Sequence, residues 1–121
     1  MIVVYIAGPF RGANAWEVER HAQSAEVLAY EVWALGMVAL CPHNNTRHFD
    51  GVLNDGIWLS GDLELLGRCD AILMVPGWET SIGAMAERTF ALTRGIPVYD
   101  DLNNLARDYE RQIIDSHERQ S

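Results

Sequence analysis

Lysine is missing from this chain: all nine of its cationic residues are arginines. That absence excludes a Walker-type loop, whose lysine bears on the phosphates, and any lysine Schiff base. A bound phosphate would have to be met by arginine, hydroxyls, backbone N–H groups or helix N-termini. Positive charge is scarce altogether. Nine cations face 17 acids, for a formal charge of −8, which argues against a nucleic-acid polymer or an anionic membrane as partner. Long apolar runs are absent too; none approaches the ~18 residues of a membrane span. The start, Met1 to Phe10, has no basic leader and runs straight into a strand pattern, so a cytoplasmic protein is expected. Cysteine is limited to Cys41 and Cys69. The first closes one strand pattern and the second precedes another, at opposite edges of a parallel sheet. Two reduced, buried thiols are therefore expected rather than a disulfide.

What is present suffices for one domain over residues 1–121 with a sizeable core, since 49% of the chain is hydrophobic. Ile2 to Ala7 is a continuous β-branched run, as in a central parallel strand. Gly8-Pro9 breaks it. Asn14 caps a helix, Glu17 stands at the capping-box position, and Val18, Ala22, Ala25, Ala29 and Val32 make its buried stripe. Gly36 ends that helix. Met37–Cys41 is a second strand. Pro42 to Asp55 is a polar loop longer than most connections. Ile57–Gly67 reads as a short helix, Asp70–Val75 as a third strand, and residues from Thr80 or Ser81 to Arg94 as a helix. Pro97–Tyr99 is a fourth strand. Leu102, Leu105, Ala106, Tyr109 and Ile113 mark a last amphipathic helix with a fraying end.

This alternation predicts an α/β, Rossmann-like (flavodoxin-like) parallel sheet of four to five strands, order 2-1-3-4, with helices on both faces. The switch point falls between strands 1 and 3. Ligands of such sheets bind at the carboxyl ends of the strands there, where Gly8–Gly12 and Pro76–Ser81 converge.

Glu87 is the leading candidate. It shares a helix face with Gly83, Ala84 and Ala91, and the small neighbours leave room for a ligand. A solvent-facing glutamate near Arg88 and Arg94 is the plain alternative. Tyr5 lies in a strand buried on both faces, so its phenol needs a partner, either a carboxylate above it or a backbone carbonyl. Asp62 interrupts an apolar stripe formed with Trp58 and Leu65-Leu66, a setting that raises a carboxyl pKa and suits a proton donor. Alternatively it caps a helix beginning at Leu63. Arg11 and Ser81 could hold a phosphate, or be a surface arginine and a helix cap. His43 and Asn44 are placed to line a pocket. Cys41, His43, His48 and Asp50 do not follow a zinc spacing, and no metal site is expected. Trp78 could stack on a base, and Trp16 fits ordinary helix packing.

In order, YIAGPFRG at residues 5–12, Asp62 with Leu65-Leu66, Cys69-Asp70, Ser81-x-Gly83 and Glu87 resemble the nucleoside 2-deoxyribosyltransferase-like superfamily. The likeness is greatest to a short phage and bacterial branch and to the 2′-deoxynucleoside 5′-monophosphate N-glycosidases. It covers most of residues 2–99; the strand-1 turn departs from the pattern in being Gly8-Pro9. The resemblance implies Glu87 as nucleophile, Tyr5 as the residue orienting it, and Asp62 as the acid that contacts the sugar and assists the leaving base. It implies Ser81 and Arg11 at the 5′-phosphate, with Gly8, Gly83, Trp78, His43 and Asn44 around the substrate. It further implies a hydrolase acting on the N-glycosidic bond of a nucleoside 5′-monophosphate, without metal or organic cofactor. A deoxyribosyltransferase and a non-catalytic nucleotide-binding protein are the alternatives. A homodimer or larger homo-oligomer is also implied, with the apolar side of the last helix as its physical hint.

Overall fold

The computed structural model describes residues 1–9, 12–42 and 55–110. Four strands form one parallel sheet: β1 (Val3–Ala7), β2 (Val38–Leu40), β3 (Ala71–Met74) and β4 (Val98–Tyr99). Their order is β2-β1-β3-β4, as the alternation of elements predicts. The register places Tyr5 of β1 opposite Leu40 on one side and Ile72 on the other. The helices are α1 (Ala15–Ala34), α2 (Asp55–Leu66), α3 (Ile82–Arg94) and α4, over residues 102–110.

Local chemistry fixes the helix ends. The Asn14 side chain accepts from the Glu17 N–H at 2.9 Å, and a Glu17 carboxylate oxygen accepts from the Ala13 N–H at 2.5 Å. This is a capping box displaced by one residue, and it satisfies two otherwise orphan donors. Ser81 caps α3 by accepting from the Ala84 N–H at 3.1 Å. The helix α2 begins at Asp55, seven residues before Asp62. Asp62 is therefore an interior helical residue and not a cap.

Strand alternation divides the core. Val4, Ile6, Ala71, Leu73 and Val75 join Ala25, Ala29 and Val32 of α1 and Leu105 and Tyr109 of α4. Tyr5, Ala7, Ile72 and Met74 face the other way, with Leu66 of α2 and Ala84 and Ala91 of α3. The alanine stripe of α1, where Ala22, Ala25 and Ala29 are buried, lets that helix lie close on the sheet.

Three expectations need correction. Over its described residues, which do not include Ile113, the apolar side of the last helix is not exposed: Leu105 and Tyr109 are buried and Leu102 packs on the same cluster. Exposed large apolar residues lie instead on other elements, among them Tyr30 at 72% and Trp33 at 54% exposure on α1. Trp16 is likewise 65% exposed rather than packed in the core, and the Arg20 guanidinium lies over its ring at 4.9 Å. Alanines already fill the sheet-facing stripe of α1, so its aromatics fall on the outer faces. Cys69 is only half-buried; Cys41 is buried, and neither forms a disulfide. No helix among the described residues is long and apolar enough to cross a membrane.

Candidate active site

Three elements bring side chains together on the face of the sheet that α2 and α3 cover. β1 contributes Tyr5, wholly buried; α3 contributes Glu87, 6% exposed; α2 contributes Asp62, half-buried. The Tyr5 hydroxyl donates to Glu87 Oε2. Glu87 is the only buried charged residue among those described. Its place follows from helix geometry: Ala84, Glu87 and Ala91 are spaced to share one face, and all three are buried. The solvent-facing alternative for Glu87 and the backbone-bonded alternative for Tyr5 are both set aside by this contact.

Burial dominates the electrostatics. The Glu87 carboxyl is pushed up to about 8, first by loss of water and also by the charge of Asp62, while the hydrogen bond from Tyr5 opposes the rise. Asp62 is pushed up to about 6, again by burial. The phenol of Tyr5 is driven far above its ordinary value by burial and then by both carboxylates, so it remains a hydrogen-bond donor. The two acids are thus close enough to feel each other, and both hold a proton to higher pH than in water, Glu87 more tightly than Asp62.

The chain turn after β3 borders this cluster. Gly77 sits in the left-handed region at φ 96°, where a side chain would be strained. Trp78–Thr80 form a single 3-10 turn, and Ser81 then starts α3. Ser81 is half-buried at a helix N-terminus, where unpaired N–H groups and the helix dipole favour an anion. A Cβ added at Gly83 would meet nothing nearer than Ser81 Oγ at 4.0 Å, so space is left beside the cap. Gly8 has a different reason to be glycine. A Cβ there would lie 2.5 Å from Val75 Cβ, so it permits close approach of the ends of β1 and β3.

Trp78 packs against the Tyr5–Ala84 cluster on one side. Its ring lies 4.6 Å beneath the Arg88 guanidinium on another, and Arg88 in turn binds Asp100, with Nη2 to Oδ2 at 3.0 Å. A base could therefore not stack on the face that Arg88 covers. Sequence reasoning did not find Arg88 and Asp100, because their partners lie ten and twelve residues away across a turn, a helix and a strand. Arg11, His43 and Asn44 lie outside the described residues, as do His48 and Asp50. Among the described residues no cluster of three metal-ligating side chains occurs. Two grooves of about 350 and 400 Å³ run along the outer sides of the helices, one between Leu63 and Phe90, the other between Val27 and Pro76. Neither is lined by Tyr5, Asp62 or Glu87, so both are shapes without this chemistry.

A family model described as a domain of unknown function (DUF4406) matches residues 2–100. No curated protein matches the chain. Among solved structures, a 2-deoxyribosyltransferase from the psychrotolerant bacterium Bacillus psychrosaccharolyticus is similar, with a TM-score of 0.57 and 22% identity over 79% of this chain and 69% of that one. The likeness is one of fold. It agrees with the flavodoxin-like sheet of the deoxyribosyltransferase-like superfamily that the sequence motifs imply.

Proposed function

We propose that this chain, which belongs to the DUF4406 family, cleaves the N-glycosidic bond of a nucleoside 5′-monophosphate, the sugar being deoxyribose. The observation that carries the reading is the buried Glu87 carboxyl held by the Tyr5 hydroxyl within electrostatic reach of Asp62. A carboxylate kept out of water and oriented by one donor is suited to attack, because little solvent must be removed at the moment of reaction. A neutral acid beside it is suited to protonate a leaving group.

In this mechanism the pair reacts in its less populated arrangement, with Glu87 ionised and Asp62 protonated, and the Glu87 oxygen forms a bond to the anomeric carbon as the bond to the base nitrogen breaks. The transition state has oxocarbenium character. Asp62 delivers its proton to the departing base. Water then attacks the same carbon, the ester to Glu87 breaks, and the water's proton returns to Asp62. The products are the free base and the sugar phosphate. Two carboxyls in such a double displacement work at a separation of about 5 Å. Ser81 at the N-terminus of α3, with Arg11, would hold the 5′-phosphate and set the anomeric carbon against Glu87.

The test is release of free base from a panel of deoxynucleoside and ribonucleoside monophosphates. Glu87→Ala is expected to lower turnover by at least about 10³-fold, in keeping with loss of a nucleophile. Undiminished turnover in that variant removes Glu87 from the chemistry. A second reading, transfer of deoxyribose to another base, is favoured by the likeness to the Bacillus enzyme. Adding a different free base and detecting the exchanged product distinguishes it. Stoichiometric nucleotide retention with no base release would identify a binding protein instead.

A further inference from the structure

The outer face of α1 carries apolar side chains that the fold leaves uncovered. Trp16, Val27, Tyr30 and Leu35, the C-cap of the helix, are all exposed. Trp16 and Tyr30 alone offer roughly 300 Å² between them, against the ~800 Å² that a stable interface takes from each partner. A patch of that kind marks an interaction surface. α1 lies on the sheet face away from Tyr5, so this surface stands apart from the candidate active site.

The polar residues among them say what the partner is. Arg20 lies over Trp16 at 4.9 Å. Ser24, Val27 and Glu31 form the α1 side of the groove that ends at Val75 and Pro76. Arg20 and Glu31 are equally far along the helix from a point between Ala25 and Glu26. So are Trp16 and Leu35, and so are Ser24 and Val27. At 100° per residue all six leave α1 within an arc of about 100°. Antiparallel helices bring together residues that are equidistant from a common centre. A two-fold axis through that centre therefore makes each contact twice. Trp16 meets the partner's Leu35, Arg20 meets the partner's Glu31, and Ser24 meets the partner's Val27. Cation faces carboxylate, apolar faces apolar, and the small serine sits near the axis where the helices come closest. A parallel pairing would instead set Arg20 on Arg20 and Glu31 on Glu31.

We propose that two copies of this chain associate through α1, antiparallel about a two-fold axis between Ala25 and Glu26, with Arg20 of each copy paired to the partner's Glu31. The face complements itself in charge as well as in apolar area, which is why a second copy is its occupant. Trp33 is exposed as well, but it leaves α1 about 140° from the middle of this stripe and takes no part. The proposal does not depend on the glycosidase reading.

Charge reversal tests it. The wild-type chain should be a dimer by light scattering and sedimentation equilibrium. Arg20→Glu and Glu31→Arg each set like charges against each other, twice by symmetry. Each should weaken the dimer at least about 100-fold. Mixing the two single variants restores opposite charges at both contacts, as does the double reversal in one chain. Both should return the dimer to within about tenfold of wild type, which also shows that the single variants are folded. Trp33→Gln should leave the mass unchanged. A wild-type chain that stays monomeric at millimolar concentration overturns the proposal. A dimer that neither reversal weakens, or that mixing does not restore, overturns it too. So does a dimer that Trp33→Gln weakens as much as Arg20→Glu, because the contact would then lie on another side of α1.

Discussion

The two faces of the sheet are built from the same strands and carry opposite loads. Toward α1 and α4, β1 turns Val4 and Ile6, and β3 turns Ala71, Leu73 and Val75, onto an apolar cluster with no buried charge. Toward α2 and α3, one residue out of step, β1 turns Tyr5 and Ala7 and meets Glu87 and Asp62. The first face gains from burial alone. The second gives up part of that gain to hold ionisable groups out of water, a cost of the kind that accompanies function. Because the period of a strand is two, a single-residue shift in β1 would exchange scaffold for chemistry. Neighbouring positions can therefore be used to separate the two loads.

Ile6→Ala and Tyr5→Phe break the comparison most sharply. Ile6 is fully buried on the apolar face, and its truncation should cost about 2–5 kcal/mol, read from denaturant midpoints. Activity per folded molecule should be nearly unchanged. Tyr5→Phe keeps the ring and removes only the donor to Glu87. Its stability cost should be smaller, while turnover should fall by about 10²-fold, the scale of a misplaced reacting group. If Ile6→Ala proved the more damaging to kcat, the division of labour between the faces would be wrong.

The chemical face should also be the origin of an unusual pH dependence. Glu87 rises from an ordinary 4.5 to about 8 in the folded chain. Below 4.5 both states are protonated and stability is full. Between 4.5 and about 8 the unfolded chain has released the proton and the folded one has not, so stability falls as pH rises. Above 8 the loss is complete. Asp62 adds a loss of the same sign between its ordinary 3.8 and about 6. Glu87→Gln retains an acceptor for Tyr5 and should flatten the slope, leaving only the Asp62 portion. Denaturant midpoints from pH 4 to 9 measure it; a slope as steep in Glu87→Gln as in wild type would mean that another group carries it. The same two acids predict a bell-shaped kcat/KM with apparent limbs near 6 and 8, belonging to the pair rather than to either residue.

Much of this was readable from the sequence because the signals were local. The cap at Asn14, the cap at Ser81 and the stop at Gly95 bound their helices within a few residues, and right-handed crossovers then dictate the strand order. Glu87 and Tyr5 were legible from periodicity, one by helical spacing among alanines and the other by lying in a strand buried on both faces. Asp62 was legible as a candidate inside a helix read over Ile57–Gly67, two residues short of the observed start at Asp55; Ser60-Gly61, which imitates a helix start, left a cap as the alternative. Trp16 and the buried face of α4 were misjudged for one reason. An amphipathic pattern says that a face is apolar, not which surface in the fold covers it. The contact of Arg88 with Trp78 and Asp100 was invisible because the three meet only when three elements are assembled.

The smallest expected effect is at Ser81, where the helix cap and the proposed phosphate contact share a single oxygen. A hydroxyl has one donor and two acceptor sites. Ser81 Oγ accepts from the Ala84 N–H, which leaves its proton for a phosphate oxygen. Ser81→Ala removes both roles and should cost about 1 kcal/mol of stability together with nucleotide affinity. Ser81→Asp divides them. An aspartate is an equally good cap and suits the helix dipole, so stability should return to the wild-type level. Its charge, however, repels a phosphate and offers no proton, so affinity for the nucleoside monophosphate should stay low while that for the nucleoside is unchanged. Recovery of stability and nucleotide binding together would mean that Ser81 only caps α3, and that the phosphate is held elsewhere.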